Sequence, residues 1–155
     1  MEIVLIATPS KRDELDVLFY EIEMLNKSFL LKINSKNMLE NCRIESFLIH
    51  ARNLIDFLED HKMNKDDILC SNFIDKDEKN IKKVNISIPW QIKRGINKHL
   101  SHLTLQRTKE KLSWNMKIIK DNINKGLSVF LKQISSKYFP TKGGLILDDF
   151  IKLIQ

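Results

Sequence analysis

The sequence is poor in everything that interrupts or staples a chain. Its 155 residues include 4 glycines, 3 prolines and 2 cysteines. So few turn formers favour long helices. Cys42 and Cys70 lie far apart, in no Cys-x-x-Cys or Cys-His spacing, so neither a disulfide framework nor a zinc knuckle is indicated, and two free thiols suit a reducing compartment. No apolar run approaches the roughly 20 residues that cross a bilayer. Residues 3–7 are too short for the core of a signal peptide and follow Glu2 instead of basic residues. A soluble, cytoplasmic chain with no membrane association is therefore expected. A glycine-rich phosphate loop is also missing, because Gly143-Gly144 has no following lysine and no strand before it.

What is abundant is lysine, isoleucine and asparagine. The net charge is +6, and it is concentrated. Residues 89–126 carry nine basic side chains against two acidic ones, Glu110 and Asp121, which accounts for the whole excess. Such a segment either solvates helix surfaces or forms a face for a polyanion.

Apolar periodicity divides the chain into helices. Leu15, Leu18, Ile22, Leu25, Phe29 and Ile33 recur at three and four residues after Thr8-Pro9-Ser10, which predicts a first helix over about 9–33. Leu39, Ile44, Phe47, Leu48, Ala51, Leu54, Ile55 and Leu58 predict a second, ending near Asp60. Residues 61–88 lose the pattern and are expected to form an irregular, mobile loop, with a short helix starting at Asp66-Asp67. A third helix opens at Ser87-Ile88-Pro89 with Trp90, Ile92, Ile96, Leu100 and Leu103 as its apolar positions. In this reading Trp90 and Trp114 wedge into the core. The fourth and most regular pattern runs from Leu112 to Tyr138, until Pro140 stops it. Residues 147–154 form a short C-terminal helix. One all-α domain follows, a bundle of four to five helices with a long loop between the second and third long helices.

The most informative local feature lies on the third helix: Arg94-Gly95-Ile96-Asn97-Lys98-His99-Leu100-Ser101-His102. Histidine moves protons near neutral pH, and the arginine fork holds phosphate. The segment resembles the Arg, four-to-six residues, His motif of HEPN domains, small helical bundles that are commonly metal-independent ribonucleases of toxin–antitoxin and antiviral defence systems. Asn97-Lys98-His99-Leu100-Ser101-His102 also lies over that family's Arg-Asn-x-Leu-Val-His form, with Asn97 where the family has arginine; in the first register Gly95 stands where the family usually has a polar residue. The resemblance implies RNA as ligand, His102 and His99 as catalytic groups, Arg94 as phosphate grip, and no cofactor. Arg107, Lys98 and Asn97 are the accompanying RNA-binding candidates. It further implies a homodimer that brings two copies of this helix together.

A second constellation falls on the second helix. Ser46, His50, Asn53 and Phe57 make one stripe, and Glu45, Ile49, Arg52 and Asp56 the next. A polar strip beside a core means buried hydrogen bonds or an interface; alternatively, Glu45, His50, Arg52 and Asn53 support a site shared with the third helix. The run Glu45-Ser46-Phe47-Leu48-Ile49-His50-Ala51-Arg52-Asn53 also looks like a phrase of small, largely uncharacterised bacterial helical proteins. No metal is expected, since His99 and His102 lack a completing ligand set and the Glu-x-x-His pairs of ferritin-like sites are missing. The competing expectation is a non-catalytic protein-interaction module or regulatory subunit of a defence complex, in which the polar strip is buried and the histidines make structural hydrogen bonds.

Overall fold

The structure, a computed structural model, describes residues 10–32, 38–74, 84, 86, 88–101, 113–134, 138 and 147–154, apart from the side chains of residues 99, 101 and 147. Within them the chain is an all-α bundle: α1 (Lys11–Leu30), α2 (Met38–Leu58), α3 (Trp90–Ser101), α4 (Met116–Leu131) and α5 (Leu147–Ile154). No strand occurs among the described residues. A single antiparallel bridge pairs Ile74 with Ile134.

Each helix begins or ends where side-chain chemistry requires. Ser10 caps α1: its hydroxyl accepts from the Asp13 amide at 3.2 Å, while the Asp13 carboxylate accepts from the Ser10 amide at 2.7 Å. The Ser10 hydroxyl also donates to the Asp13 carboxylate at 2.8 Å, and this bond, followed by that from the Ser10 amide, holds the Asp13 carboxyl below the usual range. At the other end of α1, Arg43 of α2 forks onto Glu40 and donates to the Ser28 and Phe29 carbonyls, at 3.1 and 3.4 Å. One guanidinium thus closes the α1–α2 hairpin and satisfies carbonyls that a helix end leaves unpaired.

The first two helices run antiparallel and form the most extensive contact in the protein. Leu15, Leu18, Ile22 and Leu25 meet Phe47, Leu48, Ala51, Leu54 and Leu58, all buried. The opposite side of α2 receives α3 and α4, and α5 closes the bundle against α1 and α4. Within residues 61–88, expected as an irregular, mobile loop, residues 61–66 are exposed and several later ones are buried. A 3-10 turn (Cys70–Phe73) buries Cys70 and Phe73, and Val84, Ile86 and Ile88 are buried in the same core. Burial, reinforced by Asp60, pushes the Cys70 thiol up to about 12, so it behaves as a small inert apolar group.

The fourth helix is shorter than its apolar period. Asn115 caps it by accepting from the Ile118 amide at 3.1 Å, and the chain leaves the helix at Lys132. Ile134 then enters its bridge with Ile74, and Tyr138 stacks edge-on against Phe73 with centroids 5.7 Å apart. Both residues reach the expected core, but from outside the helix. Gly126 of α4 is needed for close approach: a Cβ there would lie 3.0 Å from Leu58 Cδ1 and 3.3 Å from Ile86 Cγ1. Gly126→Val is therefore expected to destabilise the fold by about 1–3 kcal/mol through overpacking, read as a lower midpoint in urea unfolding.

Candidate functional site

The polar strip on α2 divides between two neighbours. Its inner stripe faces α1. The Ser46 and Ser28 hydroxyls lie 3.0 Å apart, His50 Nδ1 donates to Glu21 Oε2 at 2.8 Å, and Asn53 Nδ2 donates to the same oxygen at 3.1 Å. His50 is 9% exposed, with the Tyr20 ring standing edge-on to it at 5.7 Å. A buried imidazole hydrogen-bonded to a carboxylate of the facing helix and flanked by an aromatic edge ties the two helices together. These hydrogen bonds link α2 to α1, with His50 buried and Asn53 exposed. Glu45 is exposed, one turn before Ile49 on the outer stripe.

That outer stripe does meet α3. Between the two helices lies a cleft of about 230 Å³, lined by Arg52, Ile55, Asp56, Glu59, His61, Lys93, Ile96 and Asn97. Its centre is built by the way α2 ends. Asp60 takes a left-handed conformation (φ 55°), which aspartate tolerates, and the His61 amide turns back to donate to the Asp56 carbonyl at 2.9 Å. This brings the His61 side chain over the Asp56 side chain, with Nδ1 3.2 Å from Oδ1. Arg52, one turn earlier on α2, places Nε 3.6 Å from the other Asp56 oxygen. One carboxylate thus orients an imidazole and a guanidinium. Lys93 of α3 forms an ion pair with Glu59 and pins α3 against the rim. The His61 side chain remains 54% exposed at the mouth of the cleft.

Around α3, the polar positions form a band that starts at this cleft. Lys93 and Asn97 line it; Trp90, Arg94 and Lys98 follow on the adjoining stripe. The described helix carries no acidic residue. Trp90 is 61% exposed, not wedged in the core, because it lies about 120° around the helix from the buried Ile96. The Arg94 guanidinium stacks over its ring, 4.9 Å from the centroid. Trp114, by contrast, packs against the core.

Of the residues singled out by sequence, Asn97 and Arg52 come together in the cleft, and Arg94 and Lys98 occupy the adjacent face of α3. His99 is on α3, but its side chain lies outside the described residues, as do His102 and Arg107 altogether. Asp56 belongs to the polar strip legible in the sequence, whereas His61 and Lys93 are not among its candidate site residues; a histidine five positions after an aspartate at a helix end is the available signal.

A second cleft, about 520 Å³, opens on the α1 side of Arg52, lined by Glu21, Asn53, Asp56, Asp66 and Asp67 among others. Its acidic lining repels a polyanion, so the sign of the charge directs such a ligand to the α3 side. Among the described residues, no group of three or more His, Cys, Asp or Glu side chains is placed to hold a metal. None of the described helices is long and apolar enough to cross a membrane. No family model, curated protein or solved structure matches the chain.

Proposed function

We propose that this chain is an RNA-binding helical domain that cuts RNA without a metal, in the manner of the HEPN-like ribonucleases of toxin–antitoxin and defence systems. The observation that carries the reading is the α2–α3 cleft, where His61 is held by Asp56 beside Arg52 and Lys93. Cleavage through the 2′-hydroxyl needs a base to take that proton, a cation to hold the phosphate, and an acid to protonate the departing 5′ oxygen. In this mechanism His61 is the base and Arg52 grips the phosphate. The 2′ oxygen attacks phosphorus as the bond to the 5′ oxygen breaks, leaving a cyclic phosphate and a free 5′-hydroxyl. The returning proton comes from His99 or His102, carried by or just after the helix that bears Lys93 and Asn97. Arg94, Lys98 and Arg107 hold the flanking phosphates, and a second copy of the chain pairs along α3.

The test is incubation of the purified protein with single-stranded and transfer RNA in the presence of a chelator. Cleavage is expected, and it should stop when the nucleotide at the cut carries a 2′-deoxy sugar. Persistence of the cut in 2′-deoxy substrate contradicts the mechanism. A second reading draws on His50, Ser46 and Asn53, which are engaged in helix–helix hydrogen bonds. A protein inert towards RNA would favour that reading, a non-catalytic interaction module.

A further inference from the structure

The structure leaves a tryptophan out of the core and places an arginine on it, and that pairing has a use. Burying an indole is among the larger single gains open to a folding chain. Trp90 forgoes it at 61% exposure, while Ile92 and Ile96 beside it pack inward. A lone exposed aromatic is ordinary on a protein surface. Here it is combined with a guanidinium 4.9 Å from the ring centroid and a helix with Lys93, Arg94 and Lys98 but no acid. An aromatic ring and a guanidinium plane, next to each other on a cationic track, are the parts that proteins use to hold unpaired bases: the planes stack with bases and the cations follow the phosphates.

We infer that Trp90 and Arg94 form a base-stacking platform that makes single-stranded RNA, not duplex, the ligand of this face. The inference rests on the RNA-binding reading above and adds its substrate class. In a duplex each base is already stacked within its strand and its plane is closed to the protein, so a platform of this kind takes only a nucleotide splayed from its neighbours. Position supports this. Trp90 lies three residues before Lys93 and seven before Asn97, on one side of the helix, so a strand stacked at Trp90 continues past these two residues into the cleft that holds His61. The base on Trp90 then fixes the register of the phosphate offered to Arg52.

The experiment uses full-length protein labelled with fluorotryptophan, whose two tryptophans give two fluorine resonances, titrated with single-stranded RNA and with a duplex of the same sequence. The single strand is expected to shift the Trp90 resonance and leave that of Trp114 in place, and the duplex to shift neither. Trp90→Ala should weaken single-strand binding roughly 5- to 100-fold, and Trp90→Phe should recover much of the loss. Salt-sensitive RNA binding with an unmoved Trp90 resonance, or with equal affinity for single strand and duplex, overturns the platform and spares the RNA-binding reading. Failure to bind either RNA overturns both.

Discussion

His61→Ala is expected to lower RNA cleavage by about 10²- to 10⁴-fold, the range for loss of a positioned general base, while changing RNA affinity only a few-fold. The separation of effects follows from the geometry. The imidazole is anchored by its Nδ1 to Asp56 and is 54% exposed, so its removal opens no void in the core. Asp56→Asn should lower cleavage as well, by letting the ring rotate and by loosening Arg52. Single-turnover rates with saturating protein, beside binding isotherms for the same variants, check both. A variant that loses binding and cleavage in equal measure would assign His61 to phosphate contact instead.

Phe130→Ala carries the largest effect expected on stability, a loss of about 3–5 kcal/mol. Phe130 is fully buried on α4, edge-on to Phe57 of α2 at 5.1 Å and to Phe73 of the 3-10 turn at 6.3 Å. Deleting the ring unstitches three segments at once, and the rigid helix backbones on two sides limit collapse into the void. A total stability of about 5–15 kcal/mol is usual for a single domain, so the loss removes a large share of it and moves the unfolding midpoint to much lower urea. Urea titration followed by circular dichroism measures it. A midpoint within error of wild type would mean that the ring cluster contributes little.

The helices were legible because each buries one face and that face repeats. Leu15, Leu18, Ile22 and Leu25 announced α1, and Leu54 with Leu58 carried α2 to its end. Less was legible where the backbone leaves that period. Val84, Ile86 and Ile88 alternate at period two, the mark of an extended segment with one side buried, but the charged residues before them masked the pattern. Trp90 counts among the apolar positions of the third helix in the sequence, yet it lies outside the core. It is six residues from the fully buried Ile96, which at 100° per residue turns it about 120° from the apolar face. The candidate site suffered for a different reason. His50 stands out along α2, but its partner, Glu21, comes from another helix, and spacing along α2 says nothing of that. His61 looked like loop because its place over Asp56 depends on a left-handed turn at Asp60. Periodicity finds what packs; it does not find what a turn delivers to a cleft.

Under the proposed function, the α3 face and its cleft receive RNA. The most direct measurement is the affinity of the purified protein for single-stranded RNA across a series of salt concentrations. Binding is expected to weaken linearly on a log–log scale, with each neutralised phosphate contributing about 0.7 to the slope, so that Lys98→Gln flattens it by about that amount. Binding that is absent at low salt, or that is indifferent to salt and to Lys98→Gln, would contradict it.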